Sequence, residues 1–441
     1  MPTSRLPGSL RVLLGASFVS SVGGGLTLPF LVIYLHQVRH IPLGISGLLI
    51  GGVAVLALPV SPLAGALVDR VGAREVVVVT MVVQGLGIAA LATVHDVETA
   101  VPALFVYGLG QGAGWPTWNA LLGVMAGDDK VSRLAFARNF QLLNLGLGIG
   151  AIVGGLVVHV REPGTFVAIY LVNGAFALTV VPVLALLPKS AFRSTRPAGP
   201  SPSTQDGVFA TSVRHQAKRG YRAVLGDALF RRYLVTMTIL MLAGYGALNT
   251  GFVGFATSVA KAGSGTIAAA YAANTMFIVL AQPLALRIVS RTRRTTALKI
   301  VAAAFGACWV VLACAGLLPG SSASRILVIA SLVVFATGEV FLSPVSGPLV
   351  NDLAPPALRG RYFAASAMCV TVASVVSPAL SGAAIGAGLG IFLLSFFVAC
   401  CAVAGLGAQW LHRALNPAQD NAPQSRLAVA GEAPGAQAEK T

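Results

Sequence analysis

Residues 65–74 read Gly65-Ala66-Leu67-Val68-Asp69-Arg70-Val71-Gly72-Ala73-Arg74, and they stand between two long apolar runs, near 43–67 and 75–95. Both runs are long enough to cross a hydrocarbon layer as helices. Asp69, Arg70 and Arg74 interrupt a region that is otherwise almost pure hydrocarbon. The segment therefore reads as a tight, glycine-bounded, charged turn at a membrane surface.

The rest of the 441-residue chain fits that reading. It is 56% hydrophobic and 10% charged, with a mean hydropathy of +0.82; a soluble protein carries about a quarter charged residues. Twelve apolar runs recur, near 10–36, 43–67, 75–95, 99–126, 133–160, 164–188, 231–258, 264–288, 296–317, 325–350, 360–387 and 389–412. Most exceed strand length and lack the alternation of a membrane barrel. Helices that satisfy their own backbone are then the spanning structure. The first run is too long for a cleaved signal core and is expected to stay as helix 1.

Charge orients the bundle. With both termini on one side, that side holds 26 of the 30 Lys and Arg residues; the other holds Arg39, Arg161, Lys261 and Arg325. The excess of positive charge makes the terminal side cytoplasmic, beside anionic lipid, in an inner or plasma membrane. The net charge of +16 is thus mostly membrane-face charge. Nucleic-acid binding needs a folded basic domain, and none is visible. Cys308, Cys314, Cys369, Cys400 and Cys401 lie in apolar segments without metal-ligand spacing, so inert thiols are expected. No phosphate-binding loop appears, no cofactor motif stands out, and the six histidines show no paired ligand spacing.

The chain repeats itself. At an offset of 228, Gln111 aligns with Glu339, Pro116 with Pro344, Arg133 with Arg361 and Gly154 with Gly382. Six helices per half give parallel repeats about the membrane normal. The expected organisation is a six-helix bundle over 1–188, a linker over 189–230 with a basic amphipathic helix or a disordered stretch, a second bundle over 231–413, and a disordered tail over 414–441.

The turn at Gly65, Asp69, Arg70, Gly72 and Arg74 resembles the loop between helices 2 and 3 of the major facilitator superfamily of secondary transporters. Ala73 replaces a usual basic residue. The segment from Gly338 to Tyr362, which includes Arg361, resembles the helix 10–11 region of the bacterial twelve-helix drug-exporter branch. The resemblance implies an all-α membrane protein: twelve transmembrane helices as two six-helix repeats around a central cavity, working as a monomer. It also implies that helices 1, 4, 7 and 10 wall the cavity. Asp69 would then meet the start of helix 11, Arg74 would pair with Asp128 or Asp129, and these contacts would act as a conformational latch.

Glu339 alone among the 14 acidic residues lies well inside a predicted helix. A carboxylate at that depth is costly unless it is protonated, paired or facing water. It is the candidate for proton coupling or for binding a cationic substrate. Tyr107, Gln111, Trp115 and Trp118 share a face of helix 4 by 3.6-residue periodicity, and Gln111 is expected opposite Glu339. Tyr245, Asn249 and Phe252 on helix 7, with Thr27, Phe30 and Tyr34 on helix 1, show similar spacing. These aromatic and amide groups suit amphipathic, cationic organic molecules. Gly146, Gly150, Gly154 and Gly155 form a small-residue stripe for close helix packing. Gly150–Gly155 also resembles a helix 5 exporter motif, with Ala151 in place of its proline. Antiporters of the superfamily often carry an arginine where this chain has Gly108.

The leading expectation is a proton-linked exporter of small amphipathic organics by alternating access, its partners being the substrate, protons and the bilayer. The alternative is uptake of a nutrient or metabolite. A membrane-embedded enzyme would need nucleophile, base or metal groups converging at one depth, and the sequence does not supply them.

Overall fold

A computed structural model describes residues 6–126, 129–188, 224–355, 358–416 and 420. These residues form a helical membrane protein of two six-helix halves. The first half holds α1 (Gly8–Val38), α2 (Leu43–Val71), α3 (Ala73–Thr93), α4 (Val97–Ala126), α5 (Asp129–Val157) and α6 (Pro163–Leu186). The second holds α7 (Ala228–Ser258), α8 (Ser264–Val289), α9 (Arg294–Gly316), α10 (Ser322–Leu353), α11 (Arg359–Gly386) and α12 (Gly390–His412). Eleven of the twelve are both long and apolar enough to span a bilayer. The other, α4, is 30 residues long but diluted by Gln111, two tryptophans, two prolines and several glycines. The linker helix expected between the halves falls outside the described residues, apart from Val224.

The halves meet along two seams, α2 against α11 and α5 against α8. Membrane helices gain little from hydrophobic segregation, so small residues that allow close approach decide where they touch. On the first seam, Cβ atoms added at Gly47 and Gly51 would run into the Pro378 and Val375 carbonyls. On the second, one at Gly155 would collide with Ala268, and Ser264 Oγ donates to Val158 O at 3.3 Å. All of these contacts lie toward the end of the bundle away from the chain termini. Toward the terminal end a cavity separates the halves and extends to Val350 and Phe363. The structure is therefore closed at the far end and open at the terminal end.

Within the first half, the glycine stripe packs α5 on α1. Gly150 abuts Val22 and Gly25, Gly154 abuts Leu26 and Phe30, and a Cβ on Gly146 would stand 2.7 Å from that of Ser21.

The charged turn is tighter than its sequence implies. Helix α2 runs through Asp69 and Arg70 to Val71, and α3 begins at Ala73, which leaves Gly72 as the whole connection. Gly72 has φ +111°, a conformation open to glycine at little cost. Arg70 in the last turn of α2 and Glu75 in the first turn of α3 both complement their helix dipoles, so charge extends these helices rather than ending them.

Two helices break in mid-span. Helix α1 passes through a 3₁₀ turn at Leu28–Phe30, where Pro29 stands. Helix α7 breaks at Ala243–Gly244 and underwinds into a π turn at Leu248–Phe252. Carbonyls freed inside a membrane must be satisfied by neighbours. Trp309 Nε1 donates to Ala243 O at 2.7 Å, and Ser377 Oγ donates to Leu242 O.

Within the stretch expected to be a disordered tail, Leu415 is buried, and the Asp420 carboxylate reaches back to Thr295 and His412. The remaining tail lies outside the described residues.

Candidate functional site

A cavity of about 780 Å³ lies between the halves, walled by α1, α5, α7, α8, α10 and α11. It runs from Pro29 and Tyr271 at mid-depth to Val350 and Phe363 near the terminal end. Polar groups are concentrated on the second half. Among the described residues Glu339 is the only carboxylate on its lining, and no Lys, Arg or His lines it.

Glu339 sits at a built polar node. Asn274 Nδ2 donates to Glu339 Oε2 at 2.7 Å and to Leu332 O at 3.2 Å. The Tyr245 hydroxyl is also turned to the carboxylate. Tyr271 donates to Leu248 O and to Asn249 Oδ1, both at 3.3 Å. The π turn of α7 thus exposes the Leu248 carbonyl and places Asn249 beside Tyr271. The Asn274 donor and the Tyr245 hydroxyl around one carboxylate stabilise its ionised form, so this node can hold either a proton or an organic cation.

Glu339, Tyr245 and Asn249 line the cavity. Gln111 does not stand directly opposite Glu339. With Tyr107 it lines a second pocket of about 260 Å³, and Leu28, Tyr245, Asn249 and Ser374 border both spaces. Gln111 Oε1 accepts from Gln84 Nε2 at 3.3 Å. Trp115 follows Gln111 by one turn and is 61% exposed, but it lines neither space.

Two other candidates serve packing. Tyr34 is fully buried at the far end, stacked on Phe166 beside Tyr170; its hydroxyl donates to Leu91 O at 2.8 Å. Trp118 is buried, and its Nε1 donates to Asn139 Oδ1 at 3.1 Å, an oxygen that Ser17 Oγ also reaches at 3.0 Å. Both are amphipathic rings whose polar atom found a partner inside one half. Arg74 donates from Nε and Nη2 to Leu184 O, at 3.1 and 2.9 Å, which ties the start of α3 to the end of α6. Asp128 and the side chains of Asp69 and Asp129 lie outside the described residues. The second half carries a comparable tie at the same end: Arg294 Nη1 meets Asp352 Oδ2 at 2.7 Å, linking α9 to α10.

Sequence reading missed Asn274 and Tyr271. Their signal was present: Tyr271, Asn274 and Gln282 fall on one face of α8, as does Thr275 beside them, and all four line the cavity. The repeat drew attention to helices 1, 4, 7 and 10 and away from α8. Among the described residues no cluster of His, Cys, Asp or Glu could hold a metal ion.

Two helical repeats around a polar cavity closed at one end define the class: a multi-pass membrane transporter. The chain belongs to the Major Facilitator Superfamily, whose family model matches residues 13–378. It is similar to the class C tetracycline resistance protein of Escherichia coli, 26% identical over 57% of this chain and 67% of that protein. It is also similar to YqjV, an uncharacterized MFS-type transporter of Bacillus subtilis (strain 168), 24% identical over 88% of this chain and 90% of that protein. Among solved structures, the nucleoside transporter NupG aligns with TM-score 0.69 and 15% identity, covering 92% of this chain and 100% of that one. The POT family transporter PepTSo aligns with TM-score 0.71 and 14% identity, covering 93% and 99%.

Proposed function

We propose that this protein is a proton-linked exporter of small amphipathic organic cations. It works by alternating access as a monomer in the cell membrane, with both termini cytoplasmic. The observation that carries the reading is Glu339: one carboxylate, held by Asn274 and Tyr245, in a cavity otherwise lined by aromatic, aliphatic and neutral polar groups. A proton and an organic cation are alternative neutralisers of that charge. Competition for one carboxylate couples their movements, because occupancy by either lowers the cost of carrying the site through the closed bundle. On the cytoplasmic assignment of the termini, the open end faces the cytoplasm, where an exporter loads. The similarity to a tetracycline resistance protein supports the export direction.

Uptake of a neutral metabolite is the second reading. Ala151 stands in place of the exporter-motif proline and Gly108 in place of the antiporter arginine, and the structural neighbours include a nucleoside transporter and peptide transporters. Among the described residues the lining carries no basic side chain, which argues against substrates carrying a carboxylate or phosphate.

The test is transport in everted membrane vesicles under an imposed proton gradient, with a panel of lipophilic cations and neutral compounds. Gradient-driven accumulation by the wild type that is lost in Glu339→Gln is the expected result. Accumulation of neutral compounds alone, indifferent to Glu339→Gln, refutes it.

A further inference from the structure

The pocket of about 260 Å³ beside the main cavity has a composition of its own. Its walls are apolar, built from Leu31, Val32, Ile50, Val53, Ala54 and their neighbours on α1 and α2. Its polar end is supplied by Tyr107 and Gln111 of α4. Gln84 donates to Gln111 Oε1 at 3.3 Å. That bond engages the acceptor side of the Gln111 amide. The Tyr107 hydroxyl lies against the same amide. Asn249, on the shared wall, has its carbonyl oxygen occupied by Tyr271, and its amide nitrogen has no hydrogen-bond partner among the described residues. Its polar lining among the described residues is the Tyr107 hydroxyl, the Gln111 and Asn249 amides and Ser374, with no carboxylate and no basic side chain.

The size is informative. An apolar cavity of about 150 Å³ is enough to hold benzene, so this pocket accommodates one substituted ring or a small fused pair. It shares Leu28, Tyr245, Asn249 and Ser374 with the lining of the main cavity, and Tyr245 and Asn249 stand on the broken, locally π-helical part of α7.

We infer that this pocket is a second subsite of the transport site. It takes the uncharged end of an elongated substrate, a planar ring bearing a carbonyl or similar hydrogen-bond acceptor, while the amine end of the same molecule neutralises Glu339. The inference rests on the reading of Glu339 as a cation site. It adds a specificity rule: ligands are bipolar, with cation and acceptor separated by a linker that passes Tyr245. The two ends are read by different halves of the transporter, Glu339 by the second and Tyr107 with Gln111 by the first. A bound substrate of this form bridges the halves.

The test is equilibrium binding to the purified full-length protein in lipid nanodiscs, which depends on neither transport direction nor proton coupling. Three probes are compared: butylamine, 4-phenylbutylamine and 4-(4-acetylphenyl)butylamine. The wild type should bind the acetylphenyl amine most tightly. Tyr107→Phe, which keeps the ring and removes the donor, should reduce the preference for the acetylphenyl over the phenyl amine about fivefold, the value of one net hydrogen bond. Ala54→Phe, which fills the pocket from α2, should reduce the preference for either aryl amine over butylamine at least tenfold. Elution profiles in gel filtration control for folding. If Glu339→Gln weakens all three amines but neither pocket variant alters the preferences, the second subsite is refuted and the Glu339 site stands. If the wild type binds no amine, the cation-site reading fails and the inference falls with it.

Discussion

Asn274 on α8 and Glu339 on α10 are joined by a hydrogen bond of 2.7 Å, and the same amide nitrogen reaches Leu332 O at 3.2 Å. Both partners are acceptors, so the Asn274 amide must present its NH₂ side to them, and its orientation is fixed by the network. An asparagine anchored at a backbone carbonyl is a stiff donor. It holds Glu339 in one place while the cavity around it fills and empties.

Removing that donor should therefore act through Glu339 without removing the charge. Hydrogen bonds to charged groups contribute about 1.5–3 kcal/mol. Asn274→Leu is expected to weaken cation binding by roughly 10- to 100-fold, and Tyr245→Phe by less. In a Glu339→Gln background the further effect of Asn274→Leu should shrink to a few-fold. Equal losses in both backgrounds would show that Asn274 acts independently of the carboxylate. Binding titrations on the four proteins of this cycle decide it.

The closed far end depends on glycine at Gly47, where an added Cβ would overlap the Pro378 carbonyl across the seam of the halves. Gly47→Val cannot reach the same closure. The variant is expected to fold, because the clash is between halves rather than within one, and to favour opening at the far end. Spin labels at His40 and Leu389, in loops at that end, should move apart by several ångströms relative to the unsubstituted pair. An unchanged distance distribution would remove Gly47 from the closure.

The tie between Arg294 and Asp352 spans 2.7 Å, with the arginine side chain only 6% exposed and the aspartate 22%. Arg294 also points at Pro348 O, at 3.4 Å, so loss of the acid does not strip it of every partner. Asp352→Asn should destabilise the second half by about 1–3 kcal/mol, less than the 3–5 typical of a fully buried pair broken on one side. Thermal unfolding in detergent reads this directly. The double variant with Arg294→Met should recover part of the loss if charge burial rather than packing sets the cost.

Much of this architecture is visible in the sequence because bilayer thickness imposes a length and composition rule on every span. The repeat at an offset of 228 places Gln111 and Glu339 in equivalent positions, and Glu339 does lie on the cavity. Gln111 comes to rest in the adjoining pocket because the break in α7 inserts Tyr245 and Asn249 between the two. Such a break depends on Trp309 and Ser377 lying ready to cap the freed carbonyls, a tertiary fact with no local signature. Tyr34 and Trp118 show the limit of helical spacing as a guide. The same stripe that suits a cavity suits packing inside a half, and only the partners, Leu91 O and Asn139, tell the two apart. Asp69 and Arg70 read as a loop because charge usually ends a membrane span, yet α2 runs on to Val71, and the cation Arg70 suits the negative end of the helix dipole.

Asp420 offers a test of how far order extends beyond α12. Its carboxylate accepts from Thr295 N at 2.9 Å, from Thr295 Oγ1 at 2.8 Å and from His412 Nδ1 at 2.8 Å. Thr295 is the second residue of α9, so a side chain 125 positions away performs the task of an N-cap: it satisfies an orphan backbone donor and sets negative charge at the positive end of the helix. Replacing a capping oxygen typically costs about 1 kcal/mol. Asp420→Ala is therefore expected to lower the stability of the second half by about that amount and to speed amide exchange in the first turn of α9. Deleting the chain after Arg413 should reproduce the same local exchange, and Thr295→Val should reproduce part of it. Exchange at Thr295–Ala297 that is indifferent to all three changes would show that the tail makes no lasting contact with α9.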